Sequence, residues 1–124
     1  MNITATTISL TVDDVAASRD FLTTHFGYKE MHAADGFVSL TRGDAAADIV
    51  LLRRGIEVLP EEQRHLRATG LIVAFTVTGI AAEQDRLRAA GIDITMPLRE
   101  EPWGERLFQV TDPNGIVLQL VEWK

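Results

Sequence analysis

The chain contains no cysteine. That excludes disulfides, thiolate nucleophiles and thiolate metal ligands, and leaves the redox compartment open. It also lacks any apolar run approaching the roughly 18–20 residues that cross a bilayer. The opening Met1-Asn2-Ile3-Thr4-Ala5-Thr6 has no basic n-region, so the expectation is a cytoplasmic protein without a signal peptide. Positive charge is scarce: 12 Lys and Arg stand against 18 Asp and Glu, a formal net charge of −6. Nucleic acid, which is held through clustered Lys and Arg, is therefore a poor partner. An acidic surface favours a cationic small molecule, and it equally serves solubility alone.

What is present is the make-up of an ordinary globular chain. Hydrophobic residues account for 46% and charged residues for 24% of 124 residues, enough for a real core but short for two independent domains. Ile8-Ser9-Leu10-Thr11-Val12 alternates apolar and polar residues, the period of a strand with one face in a core. Asp13-Asp14 then offers an N-cap, and Val15, Ser18, Phe21, Leu22, His25 and Phe26 recur at helical spacing up to Gly27. The same order returns later. Val73-Ala74-Phe75-Thr76-Val77 reads as a strand, Thr78-Gly79 as a break, and Ile80, Gln84, Leu87 and Ala90 as a helix stopped by Gly91.

The two halves overlay, with Leu10 on Phe75, Val12 on Val77 and Val15-Ala16-Ala17 on Ile80-Ala81-Ala82. Three short strands follow each helix. They are predicted at Tyr28–Ala33, Phe37–Thr41 and Asp48–Leu52, then at Asp93–Pro97, Glu105–Thr111 and Ile116–Glu122. Turn signals lie at Asp35-Gly36, at Arg42-Gly43-Asp44 and at Asp112-Pro113-Asn114-Gly115. The expectation is an α+β fold of two βαβββ modules in tandem: module one over 1–53, a polar linker with one helical turn over 54–70, and module two over 71–124. One helix covers one face of each four-stranded sheet. The other face needs a second module against it, from the same chain or from a partner copy, and the mixed sheets would then form a cup.

The element order, Ser9-Leu10-Thr11-Val12-Asp13-Asp14 leading into Ser18 and Phe21, and above all the run from Trp103-Gly104-Glu105-Arg106 through Asp112-Pro113-Asn114-Gly115 to Leu120, resemble the vicinal-oxygen-chelate superfamily. That superfamily includes lactoylglutathione lyase, extradiol dioxygenases and non-catalytic binders that sequester bleomycin and other antibiotics. The resemblance implies that a divalent ion in the enzymes sits on His, Gln or Glu from the first and last strands of each module. Carried over, those positions fall on Thr7, Ile72, a residue near Leu52, and Gln119. A catalytic ion needs two or more converging ligands with open positions, and this set offers one. His25, His32 and His65 show no ligand spacing. Hence no metal, no cofactor and no catalytic residue is expected.

Strand parity puts Thr7, Ser9 and Thr11 on one side of the first strand, away from its helix. It likewise groups Ile72, Ala74 and Thr76 with Val117, Gln119 and Val121. Gln119 is the one polar residue inside an apolar run, and its amide is met either by a ligand or by neighbouring backbone or Thr and Ser hydroxyls. Trp103, flanked by Glu100, Glu101 and Glu105, either stacks on a flat cationic ligand or packs at an interface. Phe37 is a weaker candidate for an opposite wall, and Arg106 could meet a ligand carboxylate, although a pair with Glu105 or Asp112 is the simpler expectation. The ligand-binding set is thus Thr7, Ser9, Phe37, Leu52, Ile72, Trp103 and Gln119.

The function these residues favour is metal-independent capture of an aromatic or peptide-like molecule, resembling bleomycin-resistance proteins, in a groove at a homodimer interface. The competing reading is a glyoxalase- or dioxygenase-like enzyme acting on a small oxygenated substrate.

Overall fold

A computed structural model describes residues 1–124, which divide into two compact units, Met1–Thr69 and Gly70–Lys124. In the first, β1 (Thr7–Val12) leads into α1 (Val15–His25), followed by β2 (Lys29–Ala34), β3 (Phe37–Thr41) and β4 (Asp48–Arg53). In the second, β5 (Ile72–Thr76) leads into α2 (Ile80–Ala89), followed by β6 (Ile94–Glu100), β7 (Glu105–Thr111) and β8 (Val117–Trp123). Each unit is a βαβββ module, and the fold class is α+β as the repeat predicted.

The sheets have matching orders, β1-β4-β3-β2 and β5-β8-β7-β6. The first strand of each runs parallel to the last, and the remaining pairs are antiparallel. Short loops make the antiparallel neighbours. α1 packs on β2, β3 and β4, and α2 on β6, β7 and β8. Beneath α1 the buried residues include Leu10, Val12, Val38, Leu40, Ile49 and Leu51; beneath α2 they are Phe108, Val110, Leu118 and Leu120 with Ile80 and Leu87. These are the alternate residues of each strand, so the period of two in the sequence is the period of burial.

The helices start differently. Asp14 caps α1 locally, its Oδ1 accepting the Ala17 N–H at 3.1 Å. α2 begins at Gly79, which has φ +69° and no side chain to offer. Its first donors are met from across the sheet: the Glu122 carboxylate of β8 accepts the N–H of Gly79 at 2.9 Å and that of Ile80 at 3.2 Å. An anion at a helix N-terminus also meets the positive end of the dipole.

Three expectations shift. β6 continues past Pro97 to Glu100, because it is the outer strand and its register slips on either side of Met96, where a missing N–H is tolerated. β8 begins one residue late, because Ile116 still belongs to the turn. Its carbonyl accepts the Asp112 N–H at 2.9 Å, and its own N–H donates to the Asp112 carboxylate at 2.8 Å. The segment 54–70 contains the expected short turn of helix, Glu61–Gln63, but it is tied to the first unit. The Arg54 N–H donates to the Val12 carbonyl at 2.9 Å and the Ala68 N–H to that of Thr11 at 2.7 Å.

Candidate functional site

Pairing across each sheet fixes which side chains share the face away from the helix. In the first unit Thr7 pairs with Asp48; Ser9, Val50, Ser39 and His32 form the next row; Thr11, Leu52, Phe37 and Ala34 form the one after. This face is rich in hydroxyls at one end and apolar at the other. Thr7 and Ser9 are exposed, Phe37 is half-buried, and Leu52 and Thr11 are buried. Thr11 therefore shares the face of Thr7 and Ser9 without being available on it.

In the second unit Ile72, Val117 and Thr111 make one row, Ala74, Gln119, Gln109 and Met96 the next, and Thr76, Val121, Leu107 and Arg99 the third. The predicted grouping of Ile72, Ala74 and Thr76 with Val117, Gln119 and Val121 is the pairing found. Ile72 is 53% exposed, and Ala74 and Thr76 are exposed beside it. Gln119, at 9% exposure, lies in the middle. Its Oε1 accepts a hydrogen bond from Gln109 Nε2 at 2.8 Å. The neighbouring group is thus the Gln109 amide on β7, in place of the expected backbone or Thr and Ser hydroxyls. Its signal was the alternation Leu107, Gln109, Thr111, legible only once β7 is set against β8 in register.

Trp103 lies in the loop between β6 and β7, 65% exposed, and its Nε1 donates to Glu105 Oε1 at 3.2 Å. The surrounding charges are mostly spoken for. Arg99 pairs with Glu101 at 2.7 Å, and Lys124 pairs with Glu100. Arg106 pairs with Glu122 at 3.4 Å, correcting the expected partners Glu105 and Asp112. Arg106 and Glu122 are directly opposite on adjacent strands, whereas Glu105 points to the other face. Asp112 is buried, its carboxylate accepting the N–H groups of Asn114 and Ile116. The Gly79 and Ile80 N–H donors, with Arg106 adding charge, hold the Glu122 carboxyl below its ordinary range.

The register also refines one assignment. Thr7 and Ile72 begin equivalent strands, and Gln119 pairs with Ala74, the counterpart of Ser9; Ser9 pairs with Val50. Val50, rather than Leu52, therefore matches Gln119, and Leu52 lies one pleat further along the same face. The four positions then carry a hydroxyl, two aliphatic chains and one amide already engaged with Gln109. No group of three or more His, Asp or Glu is placed to hold an ion. His25 lies edge-on to Phe21 with ring centroids 5.2 Å apart, and His32 and His65 are exposed on separate elements. This donor set does not fit a divalent ion.

Two βαβββ modules, each with a four-stranded sheet in the same strand order, define a class of protein. The family model of the Glyoxalase/Bleomycin resistance protein/Dioxygenase superfamily matches residues 4–120, and the chain belongs to that superfamily. Solved structures show the same fold. A glyoxalase/bleomycin resistance protein/dioxygenase from Nocardioides is 24% identical, with TM-score 0.75 over 99% of this chain and 85% of its own. TioX from Micromonospora sp. ML1 is 21% identical, with TM-score 0.76 over 98% and 100%. A lactoylglutathione lyase from Agrobacterium tumefaciens is 17% identical, with TM-score 0.77 over 98% and 95%. At these identities the likeness establishes the fold alone. None of the curated proteins matches the sequence. No helix is long and apolar enough to cross a membrane.

Proposed function

We propose that this protein captures a small planar or peptide-like organic molecule without a metal, as the bleomycin-resistance members of its superfamily would, and that a homodimer interface completes the groove. The observation that carries the reading is the face of the second sheet away from α2. There an amide pair, Gln109 and Gln119, sits among Ala74, Val117, Val121 and the exposed Ile72. Small and apolar walls with a few convergent polar groups suit a neutral or weakly charged organic ligand. The exposed indole of Trp103, with Glu105 beside it, supplies a stacking surface and a carboxylate for a cationic portion. Capture of an antibiotic in the cytoplasm is the biological role this chemistry suits.

Native mass spectrometry of freshly purified protein tests the reading. A dimer carrying a co-purified organic mass, with no stoichiometric metal, is the expected result. Stoichiometric metal in protein never exposed to chelator would overturn the metal-independent mechanism. Titration with bleomycin in a Trp123→Phe background should quench the remaining Trp103 emission equally with and without EDTA. Unchanged affinity in Trp103→Ala would remove the stacking role.

A further inference from the structure

The Gln109–Gln119 pair is only half used. Each carboxamide has one oxygen acceptor and one NH2 donor group, and one hydrogen bond joins them, Gln109 Nε2 to Gln119 Oε1. Gln119 Nε2 and Gln109 Oε1 are left without partners, although Gln119 is nine-tenths buried. No fully buried side-chain nitrogen or oxygen lacks a partner anywhere in the chain, so both free atoms reach the surface. Exchanging oxygen and nitrogen in both amides changes nothing essential: one donor and one acceptor still remain, on adjacent strands of one face.

From this geometry we infer that the face of the second sheet away from α2 selects a ligand bearing a neutral carboxamide, lactam or urea edge. Such an edge offers an acceptor to the Gln119 NH2 and a donor to the Gln109 oxygen at once. A carboxylate satisfies only the first and an ammonium only the second. Charge is disfavoured as well. The surrounding positions are Ala74, Met96, Ile72, Val117, Thr111, Thr76, Val121 and Leu107, none of them ionisable. The charge on the neighbouring rows, Arg99, lies on the outer strand and is paired with Glu101 at 2.7 Å. A charged ligand group against this surface would lose water without gaining a counter-ion. Ala74 beside Gln119 is small and exposed, which leaves room for a ring carrying the amide.

The inference rests on the proposed role of this face as a ligand surface, and a matched set of probes separates the two. Benzamide, benzoate and benzylammonium share a ring and differ in the group that would meet the glutamines. In 15N-labelled protein, benzamide should shift the side-chain NH2 signals of Gln109 and Gln119 and bind about tenfold more tightly than either ion, the worth of one well-made hydrogen bond. Gln119→Leu should reduce that preference to within about twofold, with the backbone spectrum showing that the variant is folded. Gln109→Leu reads the same quantity if the first variant is not folded. Equal binding of all three probes, with shifts at Ile72 and Ala74, would overturn amide selection and leave the ligand surface standing. No shift at this face with any probe would overturn both.

Discussion

Replacing Gln109 and Gln119 by leucine, singly and together, measures whether their hydrogen bond exists in solution. Each single change has an ambiguous sign. Gln119→Leu removes a bond of about 1 kcal/mol net but also removes the cost of desolvating an amide at a site 9% exposed. Gln109 is half-buried, so its orphaned NH2 recovers part of its hydration. The coupling between the two changes is free of these terms. For a neutral bond of 2.8 Å it should be about 1 kcal/mol, with the double variant more stable than the singles predict. For 124 residues unfolding in one transition, that is a non-additive Tm of about 4 °C. Urea unfolding followed by circular dichroism provides the four free energies. Pairing Gln119→Leu with Trp123→Phe, roughly 13 Å along the same strand, is the control and should be additive within about 0.5 kcal/mol. Coupling no larger than that control would mean that the amides do not bond, and selection of an amide ligand by their free atoms would fail with it.

The capping of α2 makes a pH prediction. Glu122 has its carboxyl lowered by the Gly79 and Ile80 N–H donors, so its contribution is full above the ordinary glutamate range and is lost as pH falls through the lowered value. Glu122→Gln should flatten stability in that acid window, as read by urea midpoints, whereas Asp14→Ala at the start of α1 should cost about 1 kcal/mol at neutral pH. Tyr28 is the single tyrosine. Burial raises its phenol to about 12, and its hydroxyl donates to the Ala47 carbonyl at 2.8 Å. The stability it adds is complete below the ordinary value of 10.0 and is lost as pH rises towards 12. Absorbance near 295 nm should therefore show no titration around pH 10 until the chain unfolds. Phe108, the largest fully buried side chain, should cost about 3–5 kcal/mol when cut to alanine, measured by the shift in urea midpoint at constant m.

Much of the fold is legible in short windows. Phe37–Thr41 and Glu105–Thr111 begin and end where alternation and flanking turn residues place them. The helices start at Val15 and Ile80 as their spacing predicts. Each of these features depends on residues within a few positions of one another: a period of two or 3.6, a cap, a glycine in a turn. Gly115, at φ +86° in the turn before β8, is the same kind of local statement.

The candidate site was legible only in part. Parity alone identified the faces carrying Thr7, Ser9, Ile72 and Gln119, because side chains alternate whatever the strand's neighbours are. Parity does not say which residues stand opposite. The structure supplied Val50 in place of Leu52 as the counterpart of Gln119, Glu122 in place of Glu105 as the partner of Arg106, and Gln109 as the partner of Gln119. It also placed Glu122 on the Gly79 N–H, 43 residues away in the chain, where the second repeat lacks the aspartate that caps the first. The absence of a thiolate site, the scarcity of positive charge, the repeat and its helices were determined by the sequence alone. The amide pair, the ion pairs and the cap on α2 were decided by tertiary structure, because each is a contact between strands or elements whose register is set by pairing and not by local order.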